Sequence, residues 1–240
     1  MHVVKQPLQW YVDRLASGPR FSQGMYGDGE WICIFGKNVG GRNAENTIYT
    51  ASLCNELRQS LQFKHDGSFF FSVPASLETY GRFGEQIDRV TRMEFVDKDV
   101  WDHDVRVGLF GPLIAQLQKM KVCIISNANL RRLEFLRYSE FIELSYPNCY
   151  PEIEDAARRA IALGSGWVHL ISAGLPAALL AQRIHAAVPD AFALDLGSVW
   201  DAFVGIGAQR GWRAELYADP KRYAAWLAQY ESVGVPQRAL

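Results

Sequence analysis

Two carboxylates stand close together near the start of the chain, in the pentapeptide Tyr26-Gly27-Asp28-Gly29-Glu30. Asp28 and Glu30 are two residues apart, and each follows a glycine. Carboxylates at this spacing can share one hard divalent cation, and the glycines let a diphosphate approach the backbone closely. The pattern therefore indicates a metal-dependent enzyme acting on a nucleotide-linked substrate. The alternative is an Asp-Gly turn in a surface hairpin, which is the common meaning of this dipeptide.

The composition limits the class of protein. The 240 residues are 49% hydrophobic and 21% charged, which suits one large globular domain or two small ones. The formal net charge of −1 excludes a global basic field that would recruit nucleic acid or an anionic membrane. The four cysteines are far apart and form no CxxC pair, so we expect reduced thiols of an intracellular protein.

The N-terminal segment lacks an apolar signal core. No apolar run approaches the roughly 20 residues that a membrane-spanning helix needs. Together with the reduced cysteines, these features predict a soluble, cytoplasmic protein with no transmembrane segment. The sequence contains no internal repeat and no low-complexity linker.

In the first half of the chain, the apolar spacing predicts two helices and one buried strand. The helices cover residues 8–16 and 45–61, and the strand covers residues 69–73. A short extended piece at 21–26 leads into the Gly-Asp-Gly-Glu turn. The apolar residues 31–35 fit either a helix or a strand.

The second half alternates strands and helices at short spacing. The predicted strands cover 121–126, 140–144, 167–172 and 191–195, and the predicted helices cover 128–138, 151–163 and 176–187. Such alternation is typical of a parallel sheet with helices on both faces, where strands are apolar throughout. We therefore predict an α/β fold of the doubly wound, Rossmann-like type, with a mostly parallel sheet.

We treat residues 1–240 as a single α/β domain with two parts. The N-terminal part, 1–115, carries the paired carboxylates. The C-terminal part, 120–205, is the Rossmann-like half that we expect to bind a nucleotide.

Three predicted strands end in small or polar residues. These ends are Ser126-Asn127, Ser172-Ala173-Gly174 and Asp195-Leu196-Gly197-Ser198, the last followed by Asp201. Ligands of open α/β sheets bind beyond the carboxyl ends of the strands, and a helix N-terminus there favours phosphate. Each end alone also fits an ordinary turn or helix cap. The three together favour a binding site.

Other signatures of nucleotide or nucleophile chemistry are absent. No GxGxxG follows a strand, no GxSxG occurs, and Gly36-Lys37-Asn38 lacks the rest of a Walker A loop. His103 is a candidate base or acceptor-site residue, and the alternative is a solvated loop histidine. Arg131 and Arg132 follow the first polar strand end and either reach a phosphate or lie on a helix surface.

The order of these pieces resembles one family, the bacterial glycosyltransferases of the GT-D type, named for a DxE motif. Members carry an arginine and an aromatic residue before Gly-Asp-Gly-Glu. They continue with an Asn-x-Tyr element, a strand with a small-residue turn, and a strand ending in Asp-x-Gly. The counterparts here are Met25-Tyr26-Gly27-Asp28-Gly29-Glu30, Asn148-Cys149-Tyr150, Val168–Ser172 with Ala173-Gly174, and Asp195-Leu196-Gly197.

The resemblance implies transfer of a sugar from a nucleotide sugar, usually a uridine diphosphate (UDP) sugar, with Mn²⁺ or Mg²⁺. Asp28 and Glu30 would serve the metal and the diphosphate. Asp195 or Asp201 would bind ribose or sugar hydroxyls, or accept a proton from the acceptor. The residues we expect around the nucleotide are Tyr26, Gly27, Ser126, Asn127, Ser172, Ala173, Gly174, Gly197 and Ser198.

Two departures from the family pattern bear on the mechanism. Met25 stands where an arginine is common, and Ser198 stands where many members have histidine. The base and the acceptor therefore stay open, with a glycan, a glycoprotein, a lipid-linked intermediate and a modified nucleobase all compatible. Two other functions are compatible with the same residues. One is another metal-dependent phosphotransferase or hydrolase acting on nucleotides, and the other is a noncatalytic nucleotide- or glycan-binding protein.

Overall fold

The computed structural model describes residues 2–43, 46–65, 67–75, 84–91, 93–188, 190–208 and 211–233. Within these ranges, eight strands form one sheet in the order β1-β4-β3-β2-β8-β7-β5-β6. The strands are β1 (His2–Val4), β2 (Ser22–Met25), β3 (Phe69–Val73), β4 (Glu94–Asp97), β5 (Lys121–Ser126), β6 (Glu140–Glu143), β7 (Trp167–Ser172) and β8 (Phe192–Asp195).

Helices cover both faces of this sheet. They are α1 (Leu8–Ser17), α2 (Asp28–Ile34), α3 (Ala51–Ser60), α4 (Gly84–Val90), α5 (Asp99–Arg106), α6 (Gly111–Leu117), α7 (Ile153–Ala162), α8 (Ala177–Ala187), α9 (Gly211–Tyr217) and α10 (Pro220–Glu231). Short 3₁₀ segments lie at Ala128–Arg132, Glu134–Leu136, Tyr150–Glu152 and Val199–Val204. None of the described helices combines the length and the apolar character that a bilayer crossing requires.

Every strand pair in the sheet is parallel. Alternate residues of β5 point to opposite cores: Val122 and Ile124 pack on the side of α1 and α6, whereas Cys123 and Ile125 pack on the side of α3 and α8. A sheet covered on both faces requires strands that are apolar throughout, as β5 is. The predicted α/β, Rossmann-like fold class is confirmed, and the sheet is wholly parallel.

The four cysteines are buried, free thiols, as expected. Burial in the apolar interior raises the pKa of Cys123 and Cys149 to about 12. Neutral, enclosed thiols of this kind are core residues and not nucleophiles.

The segment after β2 is a helix and not a hairpin turn. Gly27 is the N-cap of α2, and the Glu30 carboxylate accepts the Gly27 N–H at 2.7 Å, as in a capping box. The buried side chains of Trp31, Cys33 and Ile34 then anchor the helix. The hairpin alternative is therefore wrong, and both carboxylates lie in the first turn of a helix.

Two predicted helices have other boundaries. The helix predicted for 45–61 begins at Ala51, because the Thr50 hydroxyl accepts the Leu53 N–H and ends the preceding loop; residue 45 lies outside the described residues. The helix predicted for 128–138 is two 3₁₀ segments. Its buried residues Leu130, Leu133 and Leu136 recur every three positions, the period of a 3₁₀-helix.

The register brings the predicted strand ends together. Ser126 pairs with Ser172, and Ile171 pairs with Asp195, so the ends of β5, β7 and β8 form one edge. After β5 the chain continues to β6, at the edge of the sheet, whereas after β7 it continues to β8, toward the centre of the sheet. Connections that diverge in this way open a crevice at the carboxyl edge, where ligands of α/β proteins bind.

Candidate functional site

A cleft of about 1130 Å³ lies at the carboxyl edge of the sheet. Most of the residues predicted to bind the metal or the nucleotide line it. They are Gly27, Asp28, Glu30, Asn127, Ser172, Ala173, Gly174, Asp195, Gly197, Ser198 and Asp201. Drug-sized ligands occupy pockets of roughly 300–1,000 Å³, so the cleft has room for a large substrate or for two substrates.

Helix α2 presents its first turn to the cleft. Asp28 is exposed and Glu30 is half-buried, with one Glu30 oxygen held by the Gly27 N–H. The glycine between them serves packing, because a Cβ at Gly29 would lie 2.7 Å from the Leu175 side chain. A Cβ at Gly27 would lie 3.2 Å from the Glu30 carboxylate. The two glycines therefore let α2 lie closely on the β7–α8 loop and let Glu30 fold back onto its own helix.

Asp195 joins the end of β8 to the end of β2. It is only 2% exposed, and its two carboxylate oxygens accept the backbone N–H groups of Met25 at 2.9 Å and Gly197 at 3.0 Å. Both donors belong to residues of the cleft wall. Asp195 thus fixes the shape of the wall beside the Gly27–Glu30 turn, in addition to carrying charge.

Burial raises the pKa of both inner carboxyls. The pKa of Glu30 rises to about 8, and the nearby negative charges of Asp195 and Asp28 add to the rise. The pKa of Asp195 rises to about 7, while its two backbone hydrogen bonds and the cation of Lys98 oppose the effect of burial. Carboxyls held in this way attract a cation or a hydrogen-bond donor from a ligand.

The charge of the wall points the same way. Among the described residues that line the cleft, six are acidic and three are basic: Asp28, Glu30, Asp99, Asp102, Asp195 and Asp201 against Arg42, Lys98 and Arg106. A diphosphate entering this wall meets net negative charge. An accompanying divalent cation offsets the repulsion.

The residues of the cleft fit a divalent cation only in part. In the described part of the chain, no group of three or more His, Cys, Asp or Glu side chains is arranged to hold a metal ion. Mg²⁺ is commonly bound through one or two carboxylates together with substrate phosphates and water. Asp28 and Glu30 fit that arrangement, in which the diphosphate completes the site, and they do not form a closed cage.

The floor of the cleft is made of small residues. Gly174 has φ +63° and Gly197 has φ +56°, so both adopt the left-handed conformation that favours glycine. The nearest group to a Cβ at Gly174 would be the Thr47 hydroxyl, at 3.9 Å. The loop after β7 therefore leaves open space in front of α8.

Two predicted nucleotide-binding residues lie under the floor and not in the cleft. Tyr26 is fully buried, and its hydroxyl bonds to Ser60 and Gln182. Ser126 is also fully buried and donates to the Ser172 carbonyl at 2.8 Å. Neither side chain lines the cleft, so a direct contact of either one with the nucleotide stays a prediction.

This architecture recurs in solved structures of glycosyltransferases. One, a glycosyltransferase (DUF1792) from Streptococcus sanguinis, superimposes with a TM-score of 0.63 at 16% sequence identity, over 90% of this chain and 85% of that one. Two others, structures of the domain of unknown function 1792, have TM-scores of 0.59 at 16% identity, over 91% of this chain and 82% of theirs. One of these two is described as having a distinct glycosyltransferase fold.

The chain has the fold of the DUF1792 glycosyltransferases. The resemblance to the GT-D type is thereby confirmed at the level of the fold. No family profile matches the sequence, and no curated protein matches it. At 16% identity the likeness concerns architecture, and the chemistry has to be argued from the cleft itself.

The two departures from the family pattern both lie in the cleft wall. Met25 is buried beside the β8 loop, where a Cβ at Gly197 would lie 3.1 Å from the Met25 sulfur. The Ser198 carbonyl accepts a hydrogen bond from the Arg213 guanidinium at 2.6 Å. Arg213 therefore holds the loop after β8 from behind the wall.

Sequence reasoning missed the groups at the α5 end of the cleft. Asp102 and Trp212 line the wall there, and the Trp212 indole N–H donates to the Asp102 carboxylate at 2.9 Å. In the segment 101–104, His103 is the residue predicted from the sequence, whereas Asp102 is the residue that lines the cleft. That histidine is exposed, pairs with Asp104 at 2.8 Å and does not line the cleft. The signal that could have found Asp102 is the pair of acidic residues, Asp99 and Asp102, in the first turn of a helix that follows a strand.

The two arginines after β5 also point elsewhere. Arg131 pairs with Glu143 at 3.0 Å on the surface, and Arg132 donates to the Val204 carbonyl at 2.9 Å. Neither lines the cleft. The alternative interpretation of these arginines as structural surface residues is therefore the one that fits.

Residues 38–43 and 46–50, here called the 38–50 loop, lie on the β5–β6 side of the cleft. The Thr47 hydroxyl donates to the Pro147 carbonyl at 2.9 Å, and the Ile48 N–H donates to the Asn148 side chain at 2.8 Å. The Tyr150 hydroxyl bonds to Glu56 of α3 at 2.8 Å. The Asn148-Cys149-Tyr150 element thus ties the loop and α3 to the C-terminal half of the sheet.

Proposed function

We propose that the protein is a glycosyltransferase that moves a sugar from a nucleoside diphosphate sugar, with UDP as the expected nucleotide, to a hydroxyl acceptor. One observation carries the proposal. Asp28, Glu30 and Asp195, from two distant parts of the sequence, meet in one large cleft at the carboxyl edge of a sheet whose fold glycosyltransferases share. Fold alone would not suffice, since one fold hosts many reactions.

The balance of charge supports a requirement for Mn²⁺ or Mg²⁺. Asp28 and Glu30 would hold the cation together with the diphosphate, as the donor set allows. When bound, such a cation neutralises the charge that develops on the departing diphosphate. Lys98, a cleft residue near Asp195, supplies a second positive charge for the same oxygens.

The chemical step exchanges one bond at the anomeric carbon for another. The bond from the anomeric carbon to the phosphate oxygen breaks, and the nucleoside diphosphate leaves with the electron pair. The acceptor oxygen bonds to the anomeric carbon and loses its proton to a carboxylate of the cleft. We assign the proton to Asp201, because the side chain of Asp201 is 20% exposed, whereas Asp195 is nearly enclosed and accepts two backbone N–H groups.

The test is a panel of UDP-, GDP- and TDP-sugars incubated with the protein in Mn²⁺, in Mg²⁺ and in EDTA. We expect nucleoside diphosphate to be released from at least one donor with either metal, and release to stop in EDTA. The isosteric variants Asp28→Asn and Glu30→Gln serve as matched controls, and both should be inactive while remaining folded.

The same panel separates the other functions. Cleavage of free nucleotides or phosphoesters without sugar release would identify a hydrolase or phosphotransferase. Binding of nucleotide without turnover of any donor would identify a noncatalytic binding protein. Either result would contradict the proposal.

A further inference from the structure

The two ends of the cleft differ in chemistry. The order of the sheet puts β4 with α5 on one side of β2 and β8, and puts β5 with β6 on the other side. The β5–β6 end is lined mainly by amides and hydroxyls, with Arg42 and Tyr146 beside them. The amide and hydroxyl residues are Asn38, Asn43, Thr47, Asn127, Asn129 and Ser145. The α5 end is lined by charged side chains and an indole: Lys98, Asp99, Asp102, Arg106 and Trp212.

The indole at the α5 end is held in place. Its N–H donates to one Asp102 oxygen at 2.9 Å, and the other Asp102 oxygen lies 3.6 Å from the Arg213 guanidinium. The Arg213 side chain is 1% exposed, and it also lies 3.6 Å from Asp201 and bonds to the Ser198 carbonyl. One buried cation therefore links α5, α9 and the loop after β8 into a single wall.

This wall has the components of a site for a hydroxyl-bearing ring. Trp212 is half-buried, so part of its apolar surface faces the cleft. Asp102 retains acceptor capacity beyond the indole, and its side chain is 45% exposed. An aromatic surface beside ionised acceptors binds the C–H groups of a sugar ring and its hydroxyl donors at once.

The opposite end suits a nucleoside. Side-chain amides carry both donors and acceptors, so they match the edge of a nucleobase and the hydroxyls of ribose. Arg42 adds one positive charge at this end. The carboxylates of α2 and β8 lie between the two ends. That order matches a donor whose nucleoside, diphosphate and sugar run from one end of the cleft toward the other.

We infer that the acceptor is a neutral, polyhydroxylated ring that binds at the α5 end against Trp212 and Asp102, while the nucleoside of the donor lies at the Asn-rich end. The inference rests on the proposed function. It also explains why Asp201, the proposed proton acceptor, shares Arg213 with Asp102. The base and the acceptor subsite are held by the same residue.

The experiment compares transfer with donor hydrolysis. Acceptors are a panel of p-nitrophenyl glycosides, and the donor is the nucleotide sugar that the wild-type protein turns over. The variants are Trp212→Ala, Trp212→Phe and Asp102→Asn. Trp10→Ala is the matched control, because Trp10 is another half-buried indole and does not line the cleft. Melting temperatures establish that each variant is folded.

We expect Trp212→Ala to lower kcat/KM for the glycoside by roughly tenfold or more. Hydrolysis of the donor without acceptor and the Kd of UDP should stay within about twofold of wild type, since a subsite for one substrate contributes little to the other. Trp212→Phe should keep most of the transfer activity. Trp10→Ala should behave as wild type.

Three results would overturn the inference. One is unchanged transfer by folded Trp212→Ala, and another is a parallel loss of UDP affinity, which would put the nucleotide at this end. The third is donor hydrolysis by the wild-type protein with no transfer to any glycoside. Failure of the wild-type protein to turn over any nucleotide sugar would instead contradict the proposed function itself.

Discussion

Glu30→Gln should make the metal-free protein more stable at neutral and alkaline pH while it abolishes turnover. The glutamine keeps the shape of the side chain, and its carbonyl oxygen still accepts the Gly27 N–H that Glu30 accepts at 2.7 Å. The change therefore removes the charge and little else. Residues that bind a cation in the working enzyme often destabilise the unliganded fold, because their charges lie close together.

The magnitude follows from the pKa. Burial raises the pKa of Glu30 from 4.5 to about 8. A difference of this size corresponds to at most about 5 kcal/mol, because each tenfold change in a protonation equilibrium is worth about 1.4 kcal/mol. Glu30 is only half-buried, and solvent screening reduces this limit. We expect a gain of about 2–3 kcal/mol in the free energy of unfolding.

The stability difference between Glu30→Gln and the wild type should grow as the pH rises. Because the folded pKa lies above the unfolded one, the folded state binds the extra proton between pH 4.5 and about 8. The wild-type protein therefore loses the stability of the protonated form as the pH rises through this window. The advantage of Glu30→Gln should be near zero at pH 4.5 and reach its full value above pH 8.

The assay is urea unfolding of both proteins in EDTA at intervals from pH 4.5 to 9. Asp28→Asn is the matched control, because Asp28 is an exposed carboxylate of the same helix turn and its loss should change the free energy of unfolding by less than about 0.5 kcal/mol. Adding Mn²⁺ with UDP at 100 times the wild-type Kd should raise the free energy of unfolding of the wild type by about 2.7 kcal/mol. The free energy of unfolding of Glu30→Gln should not change on the same addition. Parallel pH profiles of the wild type and Glu30→Gln would refute the reasoning.

Three further predictions concern the site and the core. Asp28→Ala should abolish metal-dependent turnover and leave the melting temperature unchanged; activity in the folded variant would contradict the metal assignment. Gly174→Val should weaken UDP binding by roughly tenfold. It should also destabilise the fold by about 1–2 kcal/mol, because Gly174 has φ +63°; calorimetry and melting curves measure both effects. His169 is fully buried, neither ring nitrogen has a partner among the described residues, and burial lowers its pKa from 6.5 to about 4. The wild type should therefore lose up to about 3 kcal/mol as the pH falls from 6.5 to 4, and His169→Leu should not; equal acid sensitivity in urea unfolding would exclude His169 as the cause.

Local sequence patterns determined the parallel sheet. The apolar run of β5 and the regular alternation of strands and helices after residue 120 predict strands buried on both faces, and the structure has them. These features depend on hydrophobic spacing within a few residues, which the sequence displays directly. The small residues at the ends of β7 and β8 were also predictable, because the ends of the strands follow from the same local spacing.

Other local features depended on which short-range pattern prevails. The Gly-Asp-Gly-Glu segment fits a turn as well as a helix start, and the capping bond from Glu30 to Gly27 together with the burial of Trp31 decides for the helix. Leu130, Leu133 and Leu136 also fit an α-helix in outline. All three side chains are buried, and a 3₁₀-helix places residues at this spacing on one side. Packing therefore outweighs the small difference in helix propensity.

The arrangement of residues at the α5 end of the cleft was decided by tertiary structure alone. Trp212 and Asp102 are separated by 110 positions, and neither shows a spacing that links it to the other or to Arg213. Asp195 likewise meets the Met25 N–H, 170 positions away, only because β8 lies beside β2 in the sheet. The sequence determined which residue types stand at each strand end, since burial and periodicity are local. Which of those residues share one cleft depends on strand order, and strand order is a property of the whole packed chain.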